Sequence, residues 1–211
     1  MIVVTPAAPA DLPAAAAVLA EAFEHDPALA PVVGGPEGPT RRERVRRMFT
    51  GLMRSGPAQA GTVDVARRAG DAQILGVAVW EEPGATTGLL AQLAQLPTFW
   101  RVDGLAGLLR QIAAKRALED HRPRQPHWYL QEIGVSADAR GLGVGTALLA
   151  ARLATADAEG APAYLESSTP RNRRLYGRHG FLEVAPVRGM PGAAPMAMWR
   201  PAPSGRVASR A

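Results

Sequence analysis

The 211 residues are 47% hydrophobic and 20% charged, enough apolar surface for the core of one α/β domain and too little polar low complexity, outside the C-terminal tail, for a disordered chain. The absence of cysteine excludes disulfides, thiolate nucleophiles and cysteine-ligated zinc or iron–sulfur centres, and suits a reducing cytoplasm. The net charge of +5 rests almost wholly on arginine, with Lys115 the one lysine, so nucleic acid and a phosphate-rich small molecule are both compatible as partners.

In chain order, the β-branched run Ile2 to Thr5 predicts a strand. Asp11-Leu12-Pro13 then reads as an N-cap with proline in the first turn of a helix over Ala14 to Phe23. Its apolar stretch stops at Glu21, far short of the roughly 20 residues a membrane span needs, and no basic segment followed by an apolar one marks a secretory leader. Four prolines and three glycines make Pro27 to Pro39 a loop, after which Thr40 is a candidate cap. In the helix that follows, Val45, Met48, Phe49, Leu52 and Met53 form one apolar stripe opposite a basic face of Arg41, Arg42, Arg44, Arg46 and Arg47, expected to be solvated. Thr62 to Arg68 and Ala72 to Trp80 flank Gly70-Asp71 and predict an antiparallel hairpin. The leucine-rich stretch from about Thr86 to Glu119, broken by Pro97 and Gly104, predicts two helices. Beyond it come a strand over His127 to Val135, a helix over Thr146 to Glu159, a strand over Ala163 to Ser167, a short helix over Pro170 to His179, and strands over Phe181 to Val187 and Pro195 to Arg200. The residues after Pro201 are expected to fray.

Between the His127 strand and the Thr146 helix lies Arg140-Gly141-Leu142-Gly143-Val144-Gly145. Three glycines there let the backbone turn its N–H groups inward at the positive end of a helix dipole, an arrangement that binds phosphate. The spacing is neither that of a P-loop, which needs Gly-Lys-Ser/Thr, nor G-x-G-x-x-G of the dinucleotide fingerprint. The segment resembles the pyrophosphate loop of the GNAT acetyltransferase superfamily, Q/R-x-x-G-x-G/A. Ile133-Gly134-Val135-Ser136 is similar to that superfamily's central strand and its exit, and Pro170-Arg171-Asn172, Tyr176 and Gly180-Phe181 to its N…Y…GF block. A looser resemblance to the puromycin N-acetyltransferase-like group runs through Ala78-Val79-Trp80, His121-Arg122-Pro123, Pro126 to Leu130 and Leu165 to Asn172.

The resemblance implies an α/β GNAT fold: a mixed, mostly antiparallel sheet splayed between its fourth and fifth strands and flanked by helices. It implies one domain over 1–200, with a helical insertion at about 84–120 and a flexible tail over 201–211. It also implies acetyl-CoA as acyl donor and direct transfer of its acetyl group to a primary amine of a small molecule, of the aminonucleoside-antibiotic type. Cofactor contacts fall on the main chain of Ile133, Gly134 and Val135, on Arg140, Gly141, Leu142, Gly143, Val144, Gly145 and Thr146, and on Asn172 and Tyr176. Asn172 and Tyr176 are four apart and so share a helix face. Tyr176 is the candidate general acid for the departing thiolate, its ordinary pKa near ~10 keeping it protonated at neutral pH. Glu132, which shares a face with Gly134 under period-2 alternation, is the first candidate base and Glu166 the second. Trp80 and Trp128 are candidate walls of the acceptor pocket, with Phe99, Trp100 and Tyr129 as further aromatics.

The four histidines lack metal-ligand spacing, so no metal is expected. Neither are a membrane or nucleic acid expected as partners, since no aromatics interleave with a basic patch. The expected state is a cytoplasmic monomer or homodimer. A non-catalytic CoA-binding regulator and an acetyltransferase acting on a protein or peptide amine remain as alternatives, the first disfavoured by Tyr176.

Overall fold

The computed structural model describes residues 1–30, 33, 38–85, 109–110, 112–190 and 192–203. The strands are β1 (Ile2–Pro6), β2 (Val63–Arg68), β3 (Ile74–Glu81), β4 (Trp128–Val135), β5 (Ala163–Ser167), β6 (Leu182–Pro186) and β7 (Met196–Arg200). They form one sheet in the order β1-β2-β3-β4-β5-β7-β6, parallel only at β4–β5. Among the described residues the helices are α1 (Leu12–Ala22), α2 (Pro39–Arg54), α3 (helical at 109–110 and 112–121), α4 (Val144–Ala158) and α5 (Pro170–Arg178). This is the GNAT fold expected from the sequence. Of the two helices expected after Trp80, the first lies outside the described residues, as do Phe99, Trp100 and residues 204–211.

Burial explains the layering. β3 is buried at every position from Ile74 to Trp80, as a central strand between two helical layers must be. Its Val77 and Val79 face α1 and α2, whose Leu19, Val45, Phe49 and Met53 close one core. Ala78 and Trp80 face the other way, into a second core built on Val144, Leu148, Leu149 and Leu153 of α4. The apolar stripe of α2 is therefore core, as its spacing predicts, but its basic face is only partly solvated. Arg42 pairs with Glu24, and Arg46 and Arg47 grip Glu43 at 2.7 and 2.9 Å, holding that carboxyl down at about 2. Arg41 is buried at 4% exposure.

Two helix starts differ from expectation. Asp11 has helical backbone angles inside a 3-10 turn (Pro9–Asp11) and does not cap α1; its carboxylate accepts from the Ala8 N–H at 2.9 Å and from Arg67 at 2.5 Å. Thr40 lies inside α2, which starts at Pro39 after Gly38.

Close approach at Gly76 seats α4 on the sheet. A Cβ there would stand 2.6 Å from Val144 Cγ1 and 3.2 Å from the Gly134 carbonyl oxygen. Gly76→Ala should therefore destabilise the fold by about 1–3 kcal/mol, a loss readable as a lowered Tm; an unchanged Tm would show that α4 can lift off freely.

Candidate active site

β4 and β5 pair in register from Trp128↔Ala163 to Leu130↔Leu165 and then part. The parting coincides with a bulge: Val79 of β3 faces Glu132 while Trp80 faces Leu130, so Gln131 is one residue too many for the ladder. A bulge bends its strand and sharpens the local twist, and this one swings the C-terminal half of β4 away from β5. The slot so formed has the main chain of Ile133, Gly134 and Val135 on one side and α5 on the other.

At the mouth of the slot the chain runs through a 3-10 turn (Ala137–Ala139) into the glycine bend, where Gly141 and Gly143 have φ of +82° and +80°. That left-handed geometry is strained for a side-chain-bearing residue. The first hydrogen bond of α4 runs from Ala147 N–H to the Gly143 oxygen at 2.9 Å, which leaves the N–H groups of Val144, Gly145 and Thr146 without helical acceptors. A Cβ on Gly145 would lie 3.5 Å from Leu175 Cδ2 of α5 and 3.8 Å from Val135 Cγ2 of β4. Helix start, strand end and α5 therefore converge at one point. Uncommitted N–H groups at the positive end of a helix suit a diphosphate, and the open strand edge suits an extended amide-bearing arm, so the residues present fit coenzyme A. Arg140 and Leu142 are exposed on the outside of the bend. Gly143→Val should weaken acetyl-CoA binding roughly tenfold by straining the bend, which calorimetry can measure; unchanged affinity would separate the bend from the cofactor.

The slot opens into a cavity of about 680 Å³, into which Asn172 and Tyr176 both project, as their four-residue spacing predicts. Thr169 caps α5 by accepting from the Asn172 N–H at 3.2 Å. Tyr176 is buried, its ring 6.1 Å from that of Phe181; burial, with the charges of Glu132 and Asp26, raises its phenol above the ordinary range, so it keeps its proton. Glu132 also lines the cavity, and burial, with the charges of Asp26 and Glu166, drives its carboxyl well up. Glu166 is pushed up to about 7 by burial, opposed by hydrogen bonds from Tyr129 and Tyr164 and by the charge of Arg122. Its Oε2 accepts from Tyr129 Oη at 2.9 Å, while its Oε1 is buried with no hydrogen-bond partner among the described residues. Asp26, which accepts from Ser168 Oγ at 2.6 Å, completes the acidic wall.

Trp80 and Trp128 do not reach this cavity. Both belong to the core under α4, at 0% and 2% exposure. Trp128 donates its indole N–H to Glu159 at 2.7 Å and is covered by the Arg152 guanidinium 5.1 Å from its ring centre. Strict alternation from Glu132 would put Trp128 on the Glu132 face; the extra residue at Gln131 puts Tyr129 there instead. Sequence reasoning also missed Asp26, and Arg122 and Glu81 as lining groups. Polar residues in loops and at strand ends carry no periodic signal. His121 and His127 are occupied structurally: His121 contacts the Ala117 carbonyl and the Arg188 N–H, and His127 the Gln125 carbonyl and Arg122 Nε.

The profile of the acetyltransferase (GNAT) family matches residues 71–181. Among solved structures the chain is similar to a histone acetyltransferase HPA2 and related acetyltransferase from Corynebacterium glutamicum, at 32% identity over 98% of this chain and 99% of that one, with a TM-score of 0.76. Its fold is also similar to that of the Drosophila melanogaster polyamine N-acetyltransferase that forms N-acetylagmatine (16% identity, 94% and 98% covered, TM-score 0.59). A mosquito arylalkylamine N-acetyltransferase like 5b is comparable (15% identity, 95% and 99% covered, TM-score 0.58). The matched segment holds the splayed strands, the glycine bend and the Asn172/Tyr176 helix together, and the chain belongs to the acetyltransferase (GNAT) family.

Proposed function

We propose that this protein moves the acetyl group of acetyl-CoA to the primary amine of a small molecule with an apolar body, by direct transfer in a ternary complex. The observation that carries this reading is the unpartnered Oε1 of Glu166, buried in a cavity that Tyr176 lines as well. Acetyl-CoA supplies the thioester on which an amine acts. Main-chain N–H groups of Gly141, Gly143, Val144, Gly145 and Thr146 hold its diphosphate, Arg140 adds a rim charge, and Leu142 contributes only the backbone of the bend. The main chain of Ile133 and Val135 would hold the pantetheine arm at the open strand edge, with Asn172 of α5 as a further contact, and an amide near Gly134 would polarise the thioester carbonyl.

Glu166 takes the first proton of the bound ammonium at Oε1, which frees the lone pair for attack on the thioester, and the second amine proton, shed as the amide forms, neutralises the departing thiolate. The titration of Glu166 near pH 7 suits it to that role, whereas burial and the charges of Asp26 and Glu166 favour the neutral form of Glu132, the first candidate on sequence grounds. Tyr176 would donate a hydrogen bond to the leaving sulfur as negative charge builds there. Asp26, Glu81, Glu119 and Glu166 outweigh Lys115 and Arg122 around the cavity and favour an acceptor that arrives as a cation. Phe23, Leu29, Met48, Leu52, Ile112 and Leu118 supply an apolar wall for the rest of it. An aromatic aminoacyl nucleoside of the puromycin type has both features, and the segments similar to the puromycin N-acetyltransferase-like group support it as first candidate.

The test is thiol release from acetyl-CoA with a panel of puromycin, arylalkylamines, agmatine and a lysine-bearing peptide. Turnover is expected with amines of apolar body and not with their N-acetylated forms. Thermal stabilisation by CoA without release on any amine would make the protein a non-catalytic binder instead.

A further inference from the structure

Glu166 stands in a chain of contacts that reaches well outside the reacting atoms. Tyr129 donates to it at 2.9 Å, and the Arg122 guanidinium lies 4.2 Å from the centre of the Tyr129 ring. Arg122 is itself fixed on two sides, donating to Glu81 Oε2 at 2.6 Å and to His127 Nε2 at 3.2 Å. The other Glu81 oxygen accepts from Gln131, the bulge residue, at 2.5 Å. Burial holds His127 below its ordinary range, so its ring stays neutral and can accept from Arg122. A cation stacked on the face of a phenol fixes the ring plane, and the ring plane fixes where the O–H points.

Resting on the assignment of Glu166 as base, we propose that Tyr129, clamped by Arg122 and Glu81, is a positioning residue. Its phenol ties down Oε2, turns Oε1 toward the amine, and sets the pH above which Glu166 accepts the amine proton. A hydrogen bond donated to a carboxylate favours the charged form, so the phenol works against the burial that favours the neutral acid. The other groups facing Glu166 are Glu132 on β4, Asp26 after α1, Tyr164 on β5 and Tyr176 on α5, with Lys115 and Glu119 of α3 further along the cavity. Tyr164 gives weaker support, because its hydroxyl also reaches the His121 carbonyl at 3.5 Å.

The test is Tyr129→Phe, which removes the donor and keeps the ring under Arg122. Its first readout is the 13C NMR titration of the Glu166 carboxyl in the protein without acetyl-CoA, assigned by its loss in Glu166→Gln. The second is the pH profile of kcat/KM with one amine, whose own ionisation cancels between variants. In Tyr129→Phe the carboxyl should titrate about one pH unit higher than in the unaltered protein, and the acid limb should move up by the same amount. Activity below pH 7 then falls about tenfold, while the plateau at high pH stays within about twofold. Arg122→Gln should move the titration in the same direction. An unmoved carboxyl titration in Tyr129→Phe, or an equal fall at every pH with the limb in place, overturns the proposal. If Glu166→Gln keeps the acid limb, the assignment of Glu166 as base fails separately, and the NMR shift still decides what Tyr129 does.

Discussion

Glu166→Gln should lower kcat/KM by about two to three orders of magnitude at pH 8, the range that removal of a general base commonly costs. The amide keeps the shape of the carboxylate and can still accept the Tyr129 hydrogen bond, so loss of fold is not the expected cause. Glu132→Gln makes the contrasting case: burial and the neighbouring charges favour the neutral form of that carboxyl, and with Glu166 as the base its replacement by a neutral amide should change turnover only a few-fold. Glu166→Gln also has a signature in stability. A carboxyl whose pKa is higher in the folded protein than in the unfolded chain stabilises fully below its unfolded pKa, and that contribution is lost as pH rises through its folded value of about 7. The variant should therefore have a higher Tm than the unaltered protein at pH 8 and nearly the same Tm at pH 4. Full activity at pH 8 would remove Glu166 from the reaction.

Tyr176→Phe should lower kcat by about a hundredfold while leaving acetyl-CoA affinity within about twofold, because the phenol is needed only when negative charge builds on sulfur. The phenyl ring would still pack against Phe181 and keep α5 in place. The raised pKa of this phenol limits full proton transfer to a thiolate of ordinary pKa about 8.5, so most of the benefit comes from a hydrogen bond to the departing sulfur. Poor acyl donors should accordingly suffer more than activated ones. A thioester with a leaving thiol of low pKa should recover much of the lost rate in Tyr176→Phe, and equal losses for both kinds of donor would assign Tyr176 to packing alone.

Much of the fold was legible because its signals are local. β-branched runs marked the strands, the apolar stripe Val45 to Met53 marked the buried face of α2, and glycines at strand–helix joints marked the bend at 141–145. The alternation that paired Glu132 with Gly134 also held, because both lie beyond the bulge. The geometry of the candidate site was legible where main chain or a fixed helical spacing decides it, as in the left-handed bend at Gly143 or the shared cavity face of Asn172 and Tyr176. It was illegible where tertiary contact decides. Nothing around Trp128 announces that Gln131 is supernumerary, so sequence alone could not tell that Tyr129, and not Trp128, lines the cavity. Asp11 looks like a cap until Arg67 arrives from β2, and Arg41 looks solvated until the fold buries it. How deeply Glu132 and Glu166 are enclosed, and which charges surround each, is set by tertiary contacts that sequence does not carry.

The bulge has a consequence for how little separates an open sheet from a closed one. With Gln131 left out of the count, the side chains of β4 alternate as in an uninterrupted pleat, so excising that one residue leaves every neighbour facing its present layer. In the shortened strand Leu130 would be followed directly by Glu132, in step with Glu166, and the two backbones would zip together along the edge now left to a visitor. Such a deletion should yield a folded protein deaf to coenzyme A: the doorway of this molecule is a single amino acid wide.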